Sequence, residues 1–148
     1  DGLAGQDISR VLDVNVAGYF LCAREAVKRM STKHGGNGGA IVNVSSGSAR
    51  LGGPGEGVLY AASKGAVNSL TIGLSQEVIG EGVRVNTVAP GLTITDMPPA
   101  DKLDTLGANI PIGRAAQPEE IAEAIVWLLS EKASYTAGAN IRVGGGRI

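Results

Sequence analysis

Three short, β-branched apolar runs alternate with three longer helical segments, and that order leaves few folds open. Ala40–Val44 is continuously apolar apart from Asn43, as expected of a strand buried on both faces of a parallel sheet. Val83–Val88 is a second such run, and Ile141–Val143 a short third. Asp7–Met30, Leu59–Ile79 and Pro118–Ser130 read as the helices between them. Helix, strand, helix, strand, helix, strand implies right-handed crossovers and a parallel sheet. Three strands make a small sheet with an uncovered edge, a first sign that the chain belongs to something larger.

The punctuation agrees with this division. Asp7 or Ser9 suits the N-cap of the first helix. Its apolar residues, among them Val14, Phe20, Leu21 and Met30, cover more than one stripe, so burial is expected on two sides. One side would meet the sheet, and the other a partner such as a second subunit. Gly35–Gly39 reads as a loop, and Gly47–Gly57 as a Gly-rich loop containing Pro54. Gly80–Gly82 stops the second helix. Thr93–Pro111 is irregular, with room for a short helix around Asp101–Leu106. Pro118 suits the first turn of the third helix, and Glu119 and Glu120 follow at the positive dipole end.

Composition narrows the function classes. The 148 residues suffice for one domain with one core, and 43% hydrophobic content argues against disorder. The net charge is -1 with acids and bases interspersed, so no nucleic-acid partner is expected. No apolar run reaches membrane-spanning length, and no signal-peptide pattern opens the chain, so a cytoplasmic protein is expected. The lone Cys22 forms no internal disulfide and reads as a small core hydrophobe. His34 reads as a solvated loop residue, Trp127 as core or interface, and no cluster has metal-ligand spacing. Arg50 and Glu56 read as solvated residues of the Gly47–Gly57 loop.

Chemistry centres on Tyr60-Ala61-Ala62-Ser63-Lys64 at a helix start. Residues i and i+4 share a helix face, so phenol and ammonium can approach each other. An ammonium favours phenolate, which suits the pair to general acid/base work. The bland alternative is an ordinary helix start with a solvated lysine. Upstream, Ile41-Val42-Asn43-Val44-Ser45-Ser46 is a strand ending in two serines, and open α/β sheets bind ligands at the carboxyl ends of strands. Ser46 there can bond a carbonyl or alcohol oxygen, or simply form a turn. The second strand ends at Pro90-Gly91, a tight turn whose glycine would admit a flat ligand close to the backbone.

Asn15, Val44-Ser45-Ser46, Tyr60-x-x-x-Lys64 and Arg84-Val85-Asn86-Thr87-Val88-Ala89-Pro90-Gly91 resemble the classical short-chain dehydrogenase/reductase family. Ile110-Pro111-Ile112-Gly113-Arg114, Pro118-Glu119-Glu120-Ile121-Ala122 and Ala133-Ser134-Tyr135-Thr136-Ala137-Gly138 match in family order. The resemblance implies an α/β fold: the C-terminal half of a Rossmann-type doubly wound parallel sheet, with about three strands and three to four helices. It also implies NAD or NADP as cofactor, a small carbonyl or alcohol substrate, and a homodimer or homotetramer. Tyr60 would be the proton donor or acceptor, and Ser46 would orient the reacting oxygen. Lys64 would tune Tyr60 and bind the nicotinamide ribose. Asn15 would hold a water linking Lys64 to solvent. Pro90, Gly91, Thr93 and Thr95 would line the nicotinamide, with Gly91 and Thr95 flanking its carboxamide and the Thr93 amide able to serve it.

The departures are equally specific. The family's Thr-Gly-x-x-x-Gly-x-Gly phosphate loop and its Asn-Ala-Gly motif have no counterpart here, and Gly35-Gly36-Asn37-Gly38-Gly39 precedes a strand and cannot replace them. Residues 1–148 are therefore expected to form a partial Rossmann domain, the catalytic half, inactive in isolation. Between Ser46 and Tyr60 the spacing is one residue longer than is usual, which places the extra residue in Gly52–Gly57. Thr93 stands where an isoleucine is common, and Val143-Gly144-Gly145-Gly146 replaces Val-Asp-Gly-Gly. The substrate-facing loops carry no charged clamp, which favours a neutral carbonyl compound. Two other readings compete with an oxidoreductase: a non-catalytic dimerising fragment, and a hydrolase using Ser46 and Lys64.

Overall fold

A computed structural model describes residues 2–54 and 57–147. Gly55 and Glu56, in the loop expected to carry the extra residue, lie outside the described residues.

The first helical stretch is continuous but not uniform. Helix α1 spans Gly5–Leu12, Asp13–Ala17 widens into a π-helical turn, and α2 spans Gly18–Met30. The helix starts earlier than expected, with Ala4 at the N-cap. Asp7 sits one turn in, where its carboxylate accepts the Ala4 N–H at 3.4 Å and faces the positive end of the dipole. The π turn holds Asn15; such turns are rare and recur at functional sites.

Strands β1 (Gly39–Val44), β2 (Val83–Pro90) and β3 (Asn140–Val143) form one parallel sheet in the order β1-β2-β3. Val44 pairs with Val88 and Val88 with Ile141. The central strand is buried along nearly its whole length, which is why its sequence shows an apolar run instead of alternation. Pro90 closes it, where a missing N–H costs least. The loop expected over Gly47–Gly57 contains one helical turn, α3 (Ser48–Leu51), ended by Gly52 at φ 78°. Helix α4 spans Val58–Val78 and tightens into a 3₁₀ turn, Ile79–Glu81, which Gly82 ends at φ 78°. Helix α5 (Leu103–Ala108) falls in the irregular stretch, and α6 spans Pro118–Leu129 with Pro118 in its first turn.

Helices cover both faces of the sheet. On one face α2 and α4 enclose Val78, Val83 and Val85, with Val27, Met30, Ile41 and Leu74 packed against them. On the other, Leu128 and Ile121 of α6 pack on Val88, joined by Val42, Ile141 and Val143. Buried Arg84 donates to the carbonyls of Leu128 (2.8 Å) and Ser130 (3.1 Å), so its guanidinium closes the negative end of α6.

One expectation needs correction. Cys22 is exposed, not core. On α2 only Ala23 is buried, so the side carrying Cys22 points away from the sheet. In the single chain one side of the first helix meets the sheet, and on the side left for a partner Val14, Phe20 and Leu21 are 66%, 54% and 52% exposed. Trp127 is partly open beside fully buried Leu128. His34 is exposed, as expected of a loop residue. Among the described residues no helix is long and apolar enough to cross a membrane, and no three His, Cys, Asp or Glu side chains gather to hold a metal ion.

Candidate active site

A cleft of about 580 Å³ opens at the carboxyl ends of the strands, within the usual size range of small-molecule sites. Its wall includes Ser46, Tyr60, Lys64, Pro90, Gly91, Thr93 and Thr95, so seven of the eight residues singled out in the sequence converge on one space. Asn15 is the exception and stands behind the wall.

The two serines at the end of β1 have different tasks. Ser45 is buried, and its hydroxyl donates to the Lys64 carbonyl at 3.0 Å, tying the strand to α4. Ser46 faces the cleft, and its Oγ accepts the Ser48 N–H at 3.1 Å. It is thus both a turn-former and a cleft hydroxyl, with its own proton free to donate. Deeper, Asn43 donates to Thr71 Oγ1 at 2.9 Å and Thr87 donates to the same atom at 2.7 Å. These buried bonds fix α4, and hence Tyr60 and Lys64, against the strand ends.

Lys64 is only 7% exposed. Its ammonium donates to the Val44 carbonyl at 2.9 Å and to the Tyr19 hydroxyl at 3.1 Å, and lies 5.8 Å from the centre of the Tyr60 ring. An ammonium has three N–H donors, so one remains for the cleft. Among the described contacts no hydrogen bond joins Asn15 to Lys64. Asn15 donates to Ser63 Oγ at 3.1 Å, and Ser63 donates to the Tyr60 carbonyl at 2.7 Å. The π turn therefore braces the first turn of α4. Among the described contacts no hydrogen bond joins Ser46 to Lys64, so that pair lacks the activating contact a Ser/Lys hydrolase needs.

Gly91 has a packing cause of its own. A Cβ there would meet Gly144 Cα at 2.9 Å, so the glycine is required by backbone packing against the end of β3. The Thr93 hydroxyl donates to the Gly91 carbonyl at 3.1 Å and stiffens the turn.

Three residues at or behind the cleft wall lie outside the sequence reading. Tyr19 is one; its only sequence signal is a polar-tipped aromatic four residues after Asn15 in an apolar helix. Arg142 and Arg147 are the others. They line the cleft from the β3 end, beyond the loops in which a charged clamp was sought. No carboxylate side chain lines the described wall, so the cleft is cationic.

The arrangement meets independent likenesses. A family model described as enoyl-(acyl carrier protein) reductase matches residues 3–147. An uncharacterised oxidoreductase of Escherichia coli K12, YgfF, is 56% identical over 99% of this chain and 61% of its own length. The crystal structure of acetoin dehydrogenase YohF from Salmonella typhimurium superposes with a TM-score of 0.85 at 34% identity, over 98% of this chain and 56% of that one. A blue fluorescent protein from a metagenomic library, crystallised with NADPH, gives 0.89 at 31% identity, over 98% and 57%. The chain thus spans roughly three fifths of the relatives it matches. With a parallel sheet wound by helices on both faces, a tyrosine and a buried lysine one turn apart at its strand ends, and a family match along nearly its whole length, the chain belongs to the short-chain dehydrogenase/reductase family of oxidoreductases.

Proposed function

We propose that this chain carries the proton-transfer and nicotinamide-facing part of an NAD(P)-dependent oxidoreductase that interconverts a secondary alcohol and a ketone. The convergence of Ser46, Tyr60 and buried Lys64 on one cleft carries the reading. The donor set suits a dinucleotide's nicotinamide end: one unspent Lys64 N–H for a ribose hydroxyl, and the Pro90–Thr95 turn for a flat amide. When bound, the dinucleotide supplies or accepts the hydride.

The chain's own residues handle the oxygen and the proton. In the reducing direction Ser46 donates a hydrogen bond to the carbonyl oxygen and holds it beside Tyr60. The Tyr60 O–H passes its proton to that oxygen as negative charge develops there. The phenolate left behind is stabilised by the Lys64 ammonium, which the surrounding protein keeps dry. Asn15, through Ser63, holds the backbone of Tyr60 in place. The bound water assigned to Asn15 by family likeness is part of the proposal. In the oxidising direction the same groups act in reverse.

Copies of the chain are proposed to pair through the long helices, whose outer sides carry Val14, Phe20 and Ile72 half or more exposed.

The decisive experiment is Tyr60→Phe in the purified protein. Turnover of NAD(P)H with a carbonyl panel is expected to fall by about 100-fold or more. Nucleotide fluorescence titration should still show binding. Undiminished turnover would remove Tyr60 from the chemistry and leave the assembly-module reading.

A further inference from the structure

Lysine is a compact charge on a flexible four-carbon stem, and burial alone does not aim it. Here the Lys64 ammonium is held at two points that are also bonded to each other. It donates to the Val44 carbonyl at 2.9 Å and to the Tyr19 hydroxyl at 3.1 Å, while Tyr19 donates to the same carbonyl at 2.7 Å. A phenol can give one hydrogen bond and receive another at once, so the triangle closes with every donor and acceptor correctly signed. The ammonium also lies 5.1 Å from the centre of the Tyr19 ring, within cation–π reach. Lys64 thus stands between two phenols, Tyr60 on the cleft wall and Tyr19 behind it.

We infer that Tyr19 is a positioning residue for Lys64. Without its hydroxyl the ammonium keeps one anchor and pivots about the Val44 carbonyl. With it, two N–H bonds are fixed and the third is left for the cleft. Asn15, on the same helical stretch, bonds Ser63, so among the described side chains Tyr19 is the one hydrogen-bonded to the ammonium. The inference deepens the proposed function and rests on it for the importance of Lys64, but the contact itself is testable without turnover.

Tyr19→Phe keeps the ring and removes only the hydroxyl. In the folded variant, trinitrobenzenesulfonate labelling of Lys64, mapped by peptide mass spectrometry and referred to surface Lys28, is expected to rise about threefold or more, as the loss of one charge-assisted bond implies. NADH or NADPH should bind several-fold more weakly, with substrate KM unchanged. An unchanged Lys64-to-Lys28 labelling ratio overturns the inference. So does a dinucleotide-bound structure of the unaltered protein in which the Tyr19 hydroxyl and Lys64 ammonium are out of hydrogen-bond reach, a test that needs no variant. If Tyr60→Phe stays active while Lys64 labelling still rises in Tyr19→Phe, the catalytic reading fails and the Tyr19–Lys64 contact stands.

Discussion

Ser45 and Ser46 are neighbours with one chemistry and two fates. Just past the end of β1, both serines reach the cleft wall, but the Ser45 hydroxyl is spent inside on the Lys64 carbonyl while that of Ser46 keeps its proton for the cleft. Their alanine variants should separate cleanly. Ser45→Ala loses a buried hydrogen bond and should lower stability by about 1 kcal/mol, read as a drop in Tm with kcat little changed. Ser46→Ala gives up the acceptor of the Ser48 N–H and should lower Tm modestly, but its main effect should be a fall in kcat/KM of about 100-fold, as for other donors aimed at a reacting oxygen. The opposite pattern would exchange their roles. At this scale the sequence was a good guide wherever a residue's neighbours are local: Tyr60 and Lys64 need only a helix between them. It was a poor guide where the partner is distant. Tyr19 meets Lys64 across 45 positions, and nothing in the helix that carries Tyr19 announces that meeting. Arg142 and Arg147 were invisible for the same reason, since only the sheet brings the end of β3 beside Tyr60.

Elements were legible in proportion to their length. The strands and α4 were visible because β-branched runs and a long unbroken helix leave strong patterns. The single turn of α3 is too short to show periodicity between its flanking glycines, and the π turn over Asp13–Ala17 looks like ordinary helix in sequence. The start of α6 shows local electrostatics in full. Glu120 accepts two bonds from Arg114, at 2.7 and 2.8 Å, and the Gln117 N–H at 2.8 Å. The Arg114 guanidinium first, and then the backbone amide, pull its carboxyl down to about 2. A carboxyl that is more acidic when folded stabilises the fold above its unfolded value near 4.3. That contribution is lost as pH falls from there towards 2. Glu120→Gln should therefore flatten the decline of Tm with pH across this window, and the difference should shrink in high salt because the pair is partly exposed. Parallel Tm curves for the two proteins would show that the pair does not stabilise the fold.

For the whole molecule, a parallel sheet with crossover helices was readable from element order, and its doubly wound form from the family resemblance, but the extent of burial was not. The two-sided apolar pattern of the first helix was real. In one chain, though, only one side finds the sheet and α4, and Phe20 and Leu21 remain in water. Association should cover them. Sedimentation of the protein at micromolar concentration is expected to show a dimer or tetramer, and Phe20→Ser should shift it towards the monomer. A monomeric parent protein would refute the helix-pairing proposal.

The Val44 carbonyl has a consequence for the open margin of the sheet. Ser45 directs its N–H to Val88 on β2, so Val44, one residue earlier, turns its backbone groups to the other side. Both lone pairs of its carbonyl are already taken, by Tyr19 and by Lys64. That margin is therefore blocked at its last rung. A strand that docks along β1 would find no free acceptor at Val44, because the group that would extend the sheet is already spent on aiming the lysine.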